Sequence, residues 1–268
     1  MRSKILGTGS YLPEEVLTNK QIEKIVHTTD EWILERTGIS ERRVAPKGVG
    51  VSELSVPAAE NAIQASGLQA SEIDLVIFST ITPDSMCPSA ACWLQANLNI
   101  GNCPAFDLNA ACSGFVYGLS TADQFIKTGM YKNILVIGAE NHSGGLERST
   151  RGRNVTVIFG DGAGAAILSR SEEEGKGIFR NELFGFERGC SLFPTCCQNK
   201  GNVSGNLKIR NFARTPIFRY VFVRVPRVGE SIRQRIGIYI CLAVHHRDCD
   251  PRCQRCDLYN AQFCAALG

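Results

Sequence analysis

Apolar and polar positions follow two different spacings along residues 4–170, and the alternation of these spacings predicts strands that alternate with helices. Short apolar runs of strand length occur at 4–7, 73–78, 105–108, 133–138, 156–159 and 163–169. Between them, apolar residues recur at helical spacing over 21–26, 29–36, 52–65, 88–98 and 114–127. This order predicts an α/β fold with a largely parallel, buried sheet.

Capping residues predict where the first helices begin and end. Asn19 is expected to cap the first helix and Thr29 the second, which stops at Gly38. Trp32 and Arg36 are four residues apart within the second helix. Because residues four apart are neighbours on a helix surface, these two side chains are predicted to share one face.

The composition is that of a globular protein. The chain has 268 residues, of which 44% are apolar and 21% are charged. It has no apolar run of about 18 residues and no apolar signal-peptide core near its first residue. We therefore expect a cytoplasmic protein with no membrane contact, whose twelve cysteines are reduced.

The regular pattern fades after residue 180, and the composition changes there. Residues 181–268 hold eight of the twelve cysteines, and eleven Arg and two Lys against six Asp or Glu, a net charge of +7. Clustered basic residues are typical of a nucleic-acid-binding arm. The rival interpretation, which we favour, is that a reading-frame error or a degraded gene produced this stretch, so no nucleic-acid partner is predicted.

A zinc site is the functional alternative for the same stretch. His and Cys side chains between 245 and 256 could serve as tetrahedral zinc ligands, but only Cys253 and Cys256 have the usual two-residue gap. We therefore predict no metal.

Cys112 is the strongest candidate for chemistry. It lies in a predicted turn between a buried strand and the first residues of a helix, among the small residues Ala110, Ala111, Ser113 and Gly114. Backbone N–H groups and the helix dipole at such a position are expected to lower a thiol pKa and to favour the reactive thiolate. The alternative is a buried structural cysteine.

Five motifs in order decide between these alternatives. They occupy residues 7–13, 29–39, 88–92, 109–115 and 158–165. Together they resemble the β-ketoacyl-acyl carrier protein synthase III family of thiolase-fold condensing enzymes, over about residues 1–180. The resemblance implies a thiolase-like α/β fold with a mixed, mostly parallel sheet.

The resemblance also implies roles for individual residues. Cys112 matches the nucleophile that accepts an acyl group from acyl-CoA before decarboxylative condensation with malonyl-acyl carrier protein. Trp32 and Arg153 match residues that sandwich the CoA adenine, and Thr28 and Arg36 lie at positions associated with the CoA tail. An indole and a guanidinium offer flat faces to a purine, and arginine supplies charge for phosphate.

Met86 and Cys87 occupy a loop position that, in this family, reaches across a homodimer and helps to set the acyl-chain preference. The choice of primer therefore stays open. The family reaction implies acyl-CoA as substrate and needs no metal or redox cofactor.

The family reaction also uses a His and an Asn from the C-terminal half. The Pro-His-Gln-Ala-Asn motif that carries the His does not occur in this sequence, and no flanking residues tie His27, His142, His245 or His246 to that role. We predict a complete thiolase-fold N-terminal half over 1–175 and a divergent, truncated or misread remainder over 176–268.

The predicted function is that of an initiating acyltransferase of fatty acid biosynthesis that works through acyl-Cys112. Two alternatives stay open. One is a non-catalytic or acylation-only remnant that dimerises or binds CoA, and the other is a priming synthase of a polyketide or quinolone pathway.

Overall fold

The computed structural model describes residues 2–173, 177, 178 and 183, and the backbone of two two-residue strands further along the chain. Its strands are β1 Arg2–Tyr11, β2 Glu15–Thr18, β3 Glu41–Val44, β4 Leu75–Ser79, β5 Ala105–Leu108, β6 Asn133–Asn141, β7 Asp161–Ser171, β8 Val221–Phe222 and β9 Tyr239–Ile240. Its α-helices are α1 Asn19–Ile22, α2 Asp30–Thr37, α3 Val51–Ser66, α4 Ala90–Asn97, α5 Gly114–Lys127 and α6 Arg153–Thr156.

A five-stranded sheet in the order β1-β7-β6-β4-β5 forms the centre of the described residues. The strand β4 pairs in parallel with both β5 and β6, whereas β7 pairs antiparallel with both β6 and β1. Four strands therefore run in one direction and β7 runs against them. The mixed, mostly parallel sheet expected from the sequence is confirmed.

Helices cover both faces of this sheet because successive strand residues point to opposite sides. On one face, Val76 and Phe78 of β4 pack with residues of α3 and α4. On the other, Leu75 and Ile77 pack with residues of α5. The parallel strands β4 and β6 are thus buried on both sides, which explains their continuous apolar runs.

A smaller cluster lies beside the β2 and β3 pair. Ile22, Val26, Ile33 and Val157 are buried together there, so α1, α2 and the segment after α6 share one small core. The predicted strand over 156–159 is wrong: the chain turns through the short helix α6 and then places Val157 in this cluster. Its β-branched residues serve burial between helices rather than a strand ladder.

The capping predictions are confirmed for α2 and wrong for α1. The Thr29 side chain accepts a hydrogen bond from the Trp32 backbone, and Gly38 ends α2 with a left-handed φ of 69°. For α1, Thr18 is the cap and Asn19 is the first helical residue. The Asn19 amide is instead buried in contacts with other elements, described below.

The candidate zinc ligands, the basic stretch and the boundary at 175 concern residues that lie almost entirely outside the described part of the chain. Of the residues that can be assessed, none belongs to a helix with the length and apolar character that a membrane crossing requires.

Candidate active site

Cys112 lies where the sequence predicted, between the edge strand β5 and the helix α5. A single 3-10 turn, Ala111–Ser113, joins the two elements. Ala111 has a φ of 48°, which is rare for a residue with a Cβ atom. This sharp turn leaves the Cys112 side chain half-buried at the carboxyl end of the parallel strands.

Small residues allow the start of α5 to approach the sheet closely. A Cβ atom on Gly114 would lie 3.0 Å from the Cβ of Ser79, at the end of β4. One on Gly118 would lie 2.9 Å from Val136. The helix therefore rests directly on β4 and β6, and the turn with Cys112 projects past the end of β4.

A carboxylate held by the loop after β4 lies near this turn. The Ile81 backbone N–H donates to Glu140 Oε1 over 3.0 Å, and the hydroxyls of Thr82 and Thr80 donate to Oε2 over 2.6 and 3.2 Å. His142 Nε2 lies 3.9 Å from Oε2. Three donors thus hold one carboxylate at the carboxyl ends of β4 and β6, and His142 lies beside it.

The electrostatics of Cys112 differ from the sequence prediction. Burial raises the pKa of the Cys112 thiol, a hydrogen bond from the Cys112 backbone lowers it by less, and the Glu140 carboxylate adds the smallest contribution, which raises it. No cation among the described residues contributes to this pKa. The expected depression of the pKa is therefore wrong, because desolvation and a nearby negative charge outweigh the backbone dipoles.

A second cluster surrounds the Trp32 ring. The Arg36 guanidinium carbon lies 4.5 Å from the ring centroid and that of Arg153 lies 4.4 Å from it. Arg36 reaches the ring from one turn further along α2, as the four-residue spacing predicted. Arg153 reaches it from the first residue of α6, about 120 residues away in the sequence. We call these three side chains the Trp32 cluster.

The segment before α2 completes this surface. Arg153 Nη1 donates to the His27 carbonyl over 3.2 Å, next to Thr28. The Thr28 hydroxyl is buried and has no hydrogen-bond partner within the described residues. The structure thus brings Trp32, Arg36 and Arg153 into contact and places Thr28 next to a residue that Arg153 contacts. These are the four residues that the family resemblance associates with CoA.

Met86 and Cys87 belong neither to the Trp32 cluster nor to the surroundings of Cys112. They lie in the loop between β4 and α4, where Met86 is 95% exposed and Cys87 is also exposed. Such exposure fits a loop that contacts another chain, and their role in acyl-chain preference stays a prediction.

Sequence reasoning missed the carboxylate network around Glu140. Its members, Thr80, Thr82 and Glu140, directly follow or end the parallel strands β4 and β6. Polar residues at the carboxyl ends of parallel strands commonly face a ligand site, so this position was the available signal. Within the described residues, no group of three His, Cys, Asp or Glu side chains could hold a metal ion.

Known proteins of one family are similar to this chain in sequence and in structure. The sequence profile of 3-oxoacyl-[acyl-carrier-protein (ACP)] synthase III matches residues 106–184. The chain is 55% identical over 175 residues to a beta-ketoacyl-[acyl-carrier-protein] synthase III of Aliivibrio fischeri, which is 65% of this chain and 55% of that relative.

The matched part of this chain is similar to the synthase III family in structure as well as in sequence. The crystal structure of 3-oxoacyl-[acyl-carrier-protein] synthase III from Aquifex aeolicus is similar, with a TM-score of 0.65 and 47% identity over 69% of this chain and 58% of that one. The priming beta-ketosynthase of the R1128 polyketide pathway gives a TM-score of 0.61 and 35% identity over 64% of this chain and 51% of that one.

These matches confirm the thiolase-like α/β class for the described residues. They also confirm that the resemblance is partial, because the chain spans about half the length of the curated synthase III relatives that it matches.

Proposed function

We propose that Cys112 accepts an acyl group from acyl-CoA as a thioester. The Cys112 thiolate attacks the thioester carbonyl, a new carbon–sulfur bond forms, and CoA leaves as its thiol. The observation that carries this proposal is the position of Cys112 on a strained turn at the carboxyl ends of the parallel strands, within the segment that matches the synthase III family. Backbone N–H groups at the start of α5 can then stabilise the developing oxyanion.

We propose that the Trp32 cluster and Thr28 bind the nucleotide end of the CoA substrate. Two guanidinium groups over one indole ring supply positive charge and flat surfaces at one place. CoA presents a purine and phosphates, and these match such a surface in shape and charge. The adenine would enter between Trp32 and Arg153, and Arg36 would stay available for the CoA tail.

The second step of the proposed reaction is condensation. The malonyl group of malonyl-acyl carrier protein loses carbon dioxide, and the resulting carbanion attacks the acyl-Cys112 carbonyl. The products are 3-oxoacyl carrier protein and the free thiol. This step makes the chain an initiating acyltransferase of fatty acid biosynthesis, without a metal or redox cofactor, acting in the cytoplasm as a homodimer.

The raised pKa of Cys112 bears on how far this reaction proceeds. A thiol held neutral by burial and by Glu140 needs a cation or base to generate the thiolate at neutral pH. The family His would lie among such groups, and its motif does not occur in this sequence. We therefore retain the alternative of a remnant that binds CoA and dimerises, with acylation slow or absent and no condensation.

A mass measurement of the intact protein tests the acylation step. Incubation with acetyl-CoA should add one acetyl group to the wild type and to Cys103→Ser, and none to Cys112→Ser. Cys103 is the matched control because it is also half-buried and its pKa is also raised by burial. Acetylation of Cys112→Ser at the wild-type rate would contradict the proposal.

Adding malonyl-acyl carrier protein to the acetylated protein tests condensation. Release of carbon dioxide and formation of a 3-oxoacyl carrier protein would support the complete synthase. Stable acetyl-Cys112 without product would favour the acylation-only remnant.

A priming synthase of a polyketide or quinolone pathway is the second candidate function. The similarity to the R1128 priming ketosynthase favours it. Acylation rates with short and with long acyl-CoA donors distinguish the two, because the proposed fatty acid initiator takes acetyl or another short acyl group. A preference of tenfold or more for a long acyl-CoA would favour the second candidate.

A further inference from the structure

Arg42 is a buried arginine that belongs neither to the Trp32 cluster nor to the surroundings of Cys112. It lies on β3, and its exposed fraction is 2%. Nη1 donates to the side-chain oxygen of Asn19, and Nη2 donates to the backbone carbonyl of Val157. One guanidinium therefore joins α1 to the residue that follows α6.

Asn19 extends this connection to both ends of α2. Its Nδ2 donates to Asp30 Oδ1 over 2.7 Å and to the Ile39 carbonyl over 2.8 Å. Asp30 is the first residue of α2, and Ile39 comes directly after the glycine that ends it. Through one amide, Arg42 thus holds the helix that carries Trp32 and Arg36 at its start and at its end.

Val157 connects the same arginine to the other wall of the Trp32 cluster. It is the C-cap residue of α6, and Arg153 is the first residue of that four-residue helix. The two helices that meet at the Trp32 ring are therefore both hydrogen-bonded, directly or through Asn19, to one buried guanidinium.

The cost of this burial indicates a positional role. Burial lowers the pKa of Arg42 to about 10, and the Asp30 carboxylate acts in the opposite direction, so the side chain stays charged at neutral pH. A buried charge contributes little net stability in comparison with an apolar residue of similar size, whereas its directional hydrogen bonds fix geometry. At this place, the geometry that they fix is the spacing between α2 and α6.

We propose that Arg42 is a positioning residue that sets the distance between Trp32 and Arg153 and thereby the affinity of this chain for the nucleotide end of CoA. This inference rests on the proposed CoA site. The planar fork of arginine reaches an acceptor on α1 and another after α6 at the same time, which the single ammonium of lysine cannot do with the same geometry.

The test compares Arg42→Lys with the matched control Arg43→Lys. Arg43 is the next residue on β3, and its Nη1 donates to the Pro13 carbonyl rather than to α1 or to the segment after α6. Both variants keep the charge. Calorimetric titration measures the CoA dissociation constant, and acid-quenched mass spectrometry measures acetylation by the N-acetylcysteamine thioester, a donor that has no nucleotide.

Arg42→Lys should weaken CoA binding about tenfold and leave the rate with the short thioester within about twofold of wild type. Arg43→Lys should change neither quantity by more than about twofold. Unfolding midpoints in urea show whether each variant is folded at the assay temperature. Arg42→Met gives a second variant, in which the loss of CoA affinity should be at least as large.

Three results would overturn the inference or its basis, and they differ from one another. Unchanged CoA affinity in Arg42→Lys and Arg42→Met overturns the role of Arg42 alone. A parallel fall with CoA and with the short thioester shows general destabilisation and also overturns it. Absence of CoA binding by the wild type overturns the proposed site together with the inference.

Discussion

The Cys112 turn and the Trp32 cluster differ in how their surroundings treat charge. At the turn, burial and the Glu140 carboxylate act against a charged thiolate, and within the described residues only a backbone hydrogen bond lowers the pKa of Cys112. At the cluster, two guanidinium groups lie within 4.5 Å of one ring centroid and are partly open to solvent. The surroundings of Cys112 disfavour a negative charge on its sulfur, whereas the Trp32 cluster places two positive charges close together.

This difference means that CoA binding and the reaction of Cys112 depend on different residues. Of the residues assigned to CoA binding, the described part of the chain brings those of α2 and α6 into contact at the Trp32 ring. The residues needed to ionise a buried thiol include a cation or base, and none of the described residues supplies one to Cys112. We therefore expect CoA recognition to be the more robust of the two activities.

Trp32→Ala gives the largest effect expected from this comparison. Removing the ring takes away the surface for the purine, and the CoA dissociation constant should rise about 30-fold, or ~2 kcal/mol. The acetylation rate of Cys112 by the N-acetylcysteamine thioester should stay within about twofold of wild type. Calorimetry and mass spectrometry measure the two quantities.

Trp93→Ala is the matched control for this variant. Trp93 is 44% exposed on α4, where its Nε1 donates to Ser85 and not to any residue of the Trp32 cluster. Its replacement should leave CoA affinity unchanged. Equal losses in the two variants would show that the CoA site lies elsewhere.

Salt should separate the same two regions in the wild type. The arginines of the cluster are partly exposed, so ions screen their attraction for CoA phosphates. Raising the salt concentration from about 0.05 M to about 0.5 M should weaken CoA binding roughly fivefold. Acetylation by the neutral short thioester should change by less than about twofold, because Cys112 is half-buried and this donor carries no charge. Salt-independent CoA affinity would contradict the charge-based recognition of the nucleotide.

The sequence predicted some contacts of the Trp32 cluster from local rules and others only through family resemblance. Helical spacing alone placed Arg36 beside Trp32, and cap chemistry at Thr29 and Gly38 fixed both ends of α2. The contact between Trp32 and Arg153 came only from family resemblance, because no local rule connects residues 120 positions apart. The run over 156–159 shows the limit of periodicity, since β-branched residues there fill a small core beside helices.

The electrostatics of Cys112 could not be predicted from its neighbours in the sequence. The small residues around it and the following helix indicated a reactive thiol, and both features are present. The pKa, however, depends on burial in the packed molecule and on Glu140, which comes from the strand β6. Burial and charge from distant segments are properties of the packed molecule.

Glu140→Gln tests the contribution of this carboxylate to the pKa of Cys112. Because the Glu140 carboxylate raises the pKa of Cys112, removing its charge should lower that pKa and increase the thiolate fraction. The alkylation rate of Cys112 by iodoacetamide at pH 7.5 should rise modestly, because Glu140 makes the smallest of the three contributions to this pKa. Peptide mass spectrometry after a timed quench measures this rate at one defined cysteine.

Glu60→Gln is the control, since Glu60 is exposed on α3. It should leave the alkylation rate unchanged. In the wild type, the rate should keep rising as the pH passes above the ordinary cysteine range, because the thiol ionises late. A rate that already reaches its plateau near neutral pH would show that Cys112 is ionised there and would overturn the raised pKa.

Ala111→Gly probes the strain in the turn and has the smallest expected effect. A Cβ atom at a φ of 48° costs about 1 to 2 kcal/mol, which glycine would relieve. Glycine also makes the unfolded chain more flexible, which offsets roughly 0.5 to 1 kcal/mol of that gain. The free energy of unfolding in urea should therefore rise by about 0.5 kcal/mol.

Asn99→Gly provides the comparison within the same molecule. Asn99 has a φ of 51°, but asparagine adopts left-handed conformations more readily than alanine does. Its replacement should therefore stabilise the protein less than Ala111→Gly does. A larger gain at Asn99 than at Ala111 would mean that the backbone before Cys112 is not strained, and the turn would then owe its position to packing on Ser79 and Val136 alone.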